Sequence, residues 1–136
     1  MATSPTYPSG VGRILKTIVN SDSTNWVDIY DNSASSTNAR VEALTLCSDD
    51  TATVNIQFGY NNGTTTFLIG TVRAVTLSGV DGAAARINPL SSIGTLTPDA
   101  IMVLEVPPGL KLQAKSLVAV TSAKTVSLTG WARLYA

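Results

Sequence analysis

The alternation in residues 52–60 limits the fold this chain can adopt more than any other feature. Val54, Ile56, Phe58 and Tyr60 alternate with Thr53, Asn55 and Gln57, and a period of two buries one set while the other meets water. The same period returns twice. Leu110, Leu112 and Ala114 oppose Lys111, Gln113 and Lys115, while Val126, Leu128, Ala132 and Leu134 oppose Ser127, Thr129, Trp131 and Arg133. Residues 101–104 are apolar on both parities, as expected of a strand covered on both sides. No window carries convincing helical spacing, and residues 83–86 have room for one turn at most, with Gly82 just before them.

Runs rich in Val, Ile, Thr, Phe and Tyr, bounded by Gly, Asn, Asp, Ser and Pro, predict strands at 14–19, 25–30, 40–47, 52–60, 65–75, 101–106, 110–121 (bent) and 125–135. One hairpin is predicted to the residue. Asn62-Gly63 is the strongest short signal for a two-residue type I′ turn, which pairs Asn61 with Thr64, Phe58 with Phe67, Ile56 with Ile69 and Val54 with Thr71. Pro107-Pro108-Gly109 and residues 122–124 mark further breaks. About eight short strands without helices mean an antiparallel sandwich or barrel. The long crossing segment 77–100 favours an all-β sandwich of jelly-roll-like topology.

At 136 residues the chain has the size of one domain and needs no metal or disulfide staple. Cys47 is the only cysteine, so no intrachain disulfide forms, and within Leu44-Thr45-Leu46 it reads as a small buried hydrophobe. Residues 1–12 hold two prolines and two glycines without periodicity, and read as an irregular N-terminal arm before a domain spanning 13–136. The first residues have neither a positive n-region nor an apolar h-region, so no signal peptide is expected. No apolar run reaches membrane-spanning length. The expectation is a soluble protein made in a cytoplasm. Nine basic and nine acidic residues cancel, which argues against nucleic acid as a partner.

Catalytic machinery is hard to assemble from this composition. There is no histidine, which removes Ser-His and Cys-His catalysis and His-containing zinc sites. One cysteine cannot build a Cys-rich metal site, and no phosphate-cradling glycine motif occurs. Carboxylates remain. Asp28 and Asp31 flank Tyr30, and Asp49-Asp50 form a pair, but nothing indicates that two of them converge across a cleft as a glycosidase requires. Asp49-Asp50 reads as turn chemistry, and Asp28 and Asp31 as a solvated strand end; calcium would want more oxygens than Asp28, Asp31, Asn32 and Ser33 offer. The expectation is therefore no enzyme, no cofactor and no metal. Asn62-Gly63-Thr64 fits a glycosylation sequon but reads as a turn.

The aromatic residues point to contacts. Trp131 and Tyr135 fall on the parity opposite the core residues of their strand, so Trp131 is second-face packing, a subunit interface or a sugar platform. Trp26 is expected to be partly buried. Within the arm, Tyr7 is a candidate anchor on a neighbouring subunit. The candidate interface is therefore Pro5, Tyr7, Pro8, Trp131, Arg133 and Tyr135.

Three stretches carry a resemblance. These are Asn55-Ile56-Gln57-Phe58-Gly59-Tyr60 with Thr66-Phe67-Leu68-Ile69-Gly70, then residues 106–114, then Val126-Ser127-Leu128-Thr129-Gly130-Trp131. From Arg40 to Tyr135 the chain resembles the small β-sandwich virion proteins of tailed bacteriophages, most of all capsid decoration, or cement, proteins. That resemblance implies a homo-oligomer, typically a trimer, that bridges subunits of the major capsid protein in the virion. A tail, collar or baseplate component and a carbohydrate-binding module are the alternatives.

Overall fold

The computed structural model describes residues 8–135, with the side chain of Pro8 left aside. Nine strands form two antiparallel sheets among these residues: β1 (Pro8–Val19), β2 (Val27–Asp31), β3 (Ala39–Ser48), β4 (Val54–Asn61), β5 (Thr66–Ala74), β6 (Thr95–Leu96), β7 (Met102–Val106), β8 (Lys111–Ser116) and β9 (Thr125–Tyr135). One sheet has the order β1-β9-β3-β7-β6 and the other β2-β8-β4-β5. The all-β sandwich expected from alternation is the fold.

The inward residues are those alternation assigns. Ile14, Ile18, Val126 and Leu128 from one sheet meet Ile56, Phe58, Leu112 and Ala114 from the other, all fully buried. β9 lies between β1 and β3 and pairs with both. That close approach requires Gly130, where a Cβ would collide with the Ala43 carbonyl. Opposite this point, β3 carries a bulge between Val41 and Ala43. The extra residue re-phases the strand, so that Val41 and Leu44 both face inward although they are three residues apart.

The predicted hairpin register is wrong. Tyr60, not Phe58, stands opposite Phe67, and Phe58 stands opposite Gly70. The cause is side-chain chemistry in the loop. Asn62 Oδ1 accepts from the amides of Thr64 and Thr65 at 3.0 and 2.9 Å, Asn61 Oδ1 accepts from Gly63 at 2.8 Å, and the Asn62 amide donates to the Thr65 carbonyl. These bonds close a four-residue loop, with Gly63 at φ +98°, where a two-residue turn was expected. A second shift between Phe58 and Gly59 leaves Ile69 without a partner. Phe58 is inward as predicted, whereas Phe67 is 57% exposed. Leu68, on the other face, is also exposed, so the end of β5 is uncovered on both sides.

Other boundaries moved for local reasons. β1 begins at Pro8 rather than residue 14, so Pro8–Gly12 of the expected arm lie in a strand paired with β9. β8 ends at Ser116, and the remainder of the expected bent strand is loop, with Val120 buried and Val118 exposed. The crossing segment is not featureless. Pro89 precedes a helical turn, α1 (Leu90–Ile93), and the Asn88 side chain accepts from the Leu90 amide at 3.1 Å. Cys47 is half-buried, on the outer parity of β3, with Gly79 against its sulfur.

The corrected register makes a sharp stability contrast. Phe58→Ala should cost about 3–5 kcal/mol in urea unfolding, while Phe67→Ala should stay within about 0.5 kcal/mol. Equal costs would mean that the two rings share the core after all.

Candidate interaction surface

The outer face of the five-stranded sheet brings together residues that lie far apart in sequence. Trp131 of β9 stands opposite Arg13 of β1 on one side and Ala43 of β3 on the other. Val11 and Leu15 flank Arg13 two residues either way, which puts them on the same face and within diagonal reach of the indole. All three apolar side chains are exposed: Val11 at 61%, Leu15 at 64% and Trp131 at 48%. β1 is also an edge strand, with no neighbour on its far side. The result is an apolar patch at a sheet edge.

The neighbouring candidates are committed within the chain. Arg133 Nε donates to Glu42 Oε1 at 2.9 Å. Tyr135 is half-buried, with the Arg40 guanidinium 5.8 Å from its ring centre. Arg40 in turn binds Glu105 at 2.6 Å, and this bond raises the guanidinium pKa above its ordinary value. Of the predicted interface residues whose side chains are described, then, Trp131 alone offers a free apolar surface. Pro8 is paired through its backbone with Tyr135, and Pro5 and Tyr7 lie outside the described residues. Val11 and Leu15 are not evident from sequence because Val11 lies in the expected arm and residues 14–19 show no regular alternation. No clean alternation marks them: Val11, Arg13 and Leu15 share one parity with a charge in its middle, while the other holds Gly12, the buried Ile14 and Lys16.

A second feature is a cleft of about 460 Å³ that includes Tyr30, Asp31, Ser35, Asn38 and Tyr135 in its lining. Tyr30 has its pKa raised, by burial first and by the Asp31 charge second.

The four aspartates form no common site, though Asp28 and Asp31 share the Lys111 ammonium, at 3.2 and 3.9 Å. Asp28 accepts from Gln113 at 2.7 Å and Lys111 at 3.2 Å on the outer face of the four-stranded sheet. Asp31 accepts from the Ser33 hydroxyl and amide, and these bonds, the hydroxyl first, lower its pKa. Asp49 accepts from the Thr125 amide at 2.6 Å. Among the described residues no group of three or more His, Cys, Asp or Glu side chains is placed to hold a metal. Trp26 is half-buried, as expected, under the Lys115 ammonium 4.7 Å from its ring centre.

Asp50 is more than a turn residue. It is fully buried, and its carboxylate accepts from the Thr121 amide at 2.8 Å, the Thr121 hydroxyl at 2.7 Å and the Ala52 amide at 2.9 Å. It thus ties the β3–β4 connection to the loop before β9. No family model, no curated protein and no solved structure matches this chain.

Burial alone would raise the Asp50 pKa, and the three hydrogen bonds more than offset it, leaving the carboxyl below its ordinary value of 3.8. A folded-state pKa below the unfolded one contributes stability that is complete above the unfolded value and vanishes as pH falls through the folded value. Stability should therefore decline as pH falls below about 5 and on through the lowered folded-state value, and Asp50→Asn should flatten that decline. At neutral pH, Asp50→Ala should cost about 1–3 kcal/mol, because it removes the charged acceptor of three hydrogen bonds that tie two loops together. An Asp50→Ala protein with unchanged unfolding midpoint would remove Asp50 from this role.

Proposed function

We propose that this chain is a structural virion protein, a capsid decoration protein that oligomerises and docks on a phage head. The observation that carries the proposal is the group of exposed Val11, Leu15 and Trp131 around Arg13 along the β1 edge. Aromatic and aliphatic residues grouped at a rigid sheet edge are what a subunit interface uses. The strand order supports it as well. The order β1-β9-β3-β7-β6 against β2-β8-β4-β5 is compatible with the paired Greek keys of a jelly roll, an architecture used in viral capsid and lectin domains. Low charge adds little repulsion between copies, since only 13% of residues are charged and the net charge is zero. Many modest contacts repeated over a symmetric shell then give avidity. A tail, collar or baseplate position would use the same surface.

A carbohydrate-binding reading has its own support in the cleft between Tyr30 and Tyr135. Two phenol rings beside Asp31, Asn38 and Ser35 offer apolar faces and hydrogen-bonding groups together, as sugars require.

On the decoration reading, the purified chain should run as a homo-oligomer, a trimer, in size exclusion with light scattering. The pair Leu15→Lys and Trp131→Lys should convert it to monomer while leaving the unfolding midpoint within a few degrees. In fractionated particles the chain should sediment with heads; sedimentation with tails selects the alternative position. The arm is tested by deleting residues 1–7, because a longer deletion also removes part of β1. A chain that stays monomeric at high concentration, joins no particle and binds glycans saturably belongs to the carbohydrate reading.

A further inference from the structure

Of the eight asparagines in the chain, Asn62 alone precedes a glycine. The pair matters chemically. The backbone nitrogen that follows an asparagine can attack the carbon of its side-chain amide, and glycine puts no side chain beside that nitrogen. Residues 62–65 are all exposed, and a Cβ at Gly63 would meet nothing within 4 Å. Water and solvent base therefore reach the pair.

The loop adds what the dipeptide lacks. Asn62 Oδ1 accepts from the amides of Thr64 and Thr65 at 3.0 and 2.9 Å. Attack on the amide carbon places negative charge on that oxygen, and two N–H donors already aimed at it lower the barrier as an oxyanion hole does. The nitrogen that must leave is unencumbered, since Asn62 Nδ2 donates to no group among the described residues. One contact opposes the reaction. The Gly63 amide donates to Asn61 Oδ1 at 2.8 Å, and a proton held in this way is harder to remove.

We propose that Asn62 is a site of spontaneous covalent modification, converted through a cyclic imide to an acidic residue. Gly63 N bonds to Asn62 Cγ as its proton passes to solvent base. The Cγ–Nδ2 bond then breaks, and Nδ2 takes up a proton and departs as ammonia. Water adds to one carbonyl of the imide. Opening at Cγ gives aspartate, while opening at the backbone carbonyl gives isoaspartate, in which the chain runs through the former side chain. No electrons are gained or lost. The aspartate product suits the loop, because a carboxylate accepts from the Thr64 and Thr65 amides more strongly than a carboxamide does. Either product moves the formal net charge from zero to one unit negative, so the hairpin tip records the age of the molecule. This inference does not depend on the virion reading.

The test is incubation of the full folded chain in mildly alkaline buffer, read by peptide mapping with mass spectrometry. The urea-unfolded chain is the reference, and the other asparagines are internal controls. Asn62 should convert at least about tenfold faster than any other asparagine, and at least as fast in the folded chain as in the unfolded one. Asn61→Ala should speed conversion in the folded chain and leave the unfolded rate unchanged. Asn62→Asp should keep the unfolding midpoint. Slower conversion of Asn62 in the folded chain than in the unfolded one, or conversion spread evenly over the asparagines, would overturn the proposal. So would an Asn61→Ala chain that converts no faster when folded, or an Asn62→Asp chain that unfolds at lower temperature.

Discussion

The sandwich depends on β9 being held between two strands at once. β9 pairs with β1 over most of its length and with β3 over nearly as much, so three strands from the beginning, the middle and the end of the chain form one continuous ladder. Gly130 is the point of tightest approach, because any side chain there would meet the Ala43 carbonyl. Until β9 is in place, neither Ile14 and Ile18 nor Val41 and Leu46 has a complete wall to pack against. Topologies of this kind are dominated by non-local contacts and fold slowly for that reason. Stability in such a protein is collective, since no disulfide or local helix can secure half of the domain alone.

Between the sheets, a few polar ties fix the relative position of elements that apolar packing leaves free to slide. The Tyr60 hydroxyl donates to the Glu105 carbonyl, joining β4 to β7 across the sandwich. Burial, with the Glu105 charge as a lesser cause, pushes its pKa up to about 12, so the donor stays protonated throughout the physiological range. Asn32 is buried and donates to the Val106 and Thr37 carbonyls at 2.8 and 3.0 Å. Asp50 does the equivalent work at its own loop cluster. Each is a buried polar group with its partners in place, which makes it directional where hydrophobic contact is not.

Those ties were the least legible features of the sequence, and the physical reason is distance along the chain. Alternation is local, so Val54, Ile56, Phe58, Leu112, Val126 and Leu128 declared their burial without any knowledge of partners. The partner of Asp50 lies 71 residues away, and nothing in Asp49-Asp50 announces Thr121. Register failed differently. The Asn62-Gly63 signal located the turn, but the Asn61 and Asn62 side chains draw two more residues into the loop. A bulge then moves the register again. Face assignment survived below the bulge because Phe58 is fixed by its own alternation and not by its partner. Of the candidate surface, Trp131 was readable from parity alone, whereas Arg133 and Tyr135 had the right parity but are held by Glu42 and Arg40, which sequence separation hid.

Sheet edges are where this fold leaves its surface unfinished. β1 carries Val11 and Leu15 outward, and β5 begins with Phe67 and Leu68 exposed. Natural edges are usually blunted by charge, by proline or by a bulge. Here the protection is sparse. Lys16 sits on the inward parity of β1, opposite Leu128, yet stays exposed, so its ammonium occupies ground another strand would need. On the outer face Arg13 stands between Val11 and Leu15, opposite Trp131, so a second cation lies within the apolar residues of this edge. The exposed apolar side chains of this edge lie around Trp131. A surface made of hydroxyls, amides and few charges does little to oppose contact there. An isolated copy keeps an unpaired strand and an apolar face side by side, and a partner that covers one covers both.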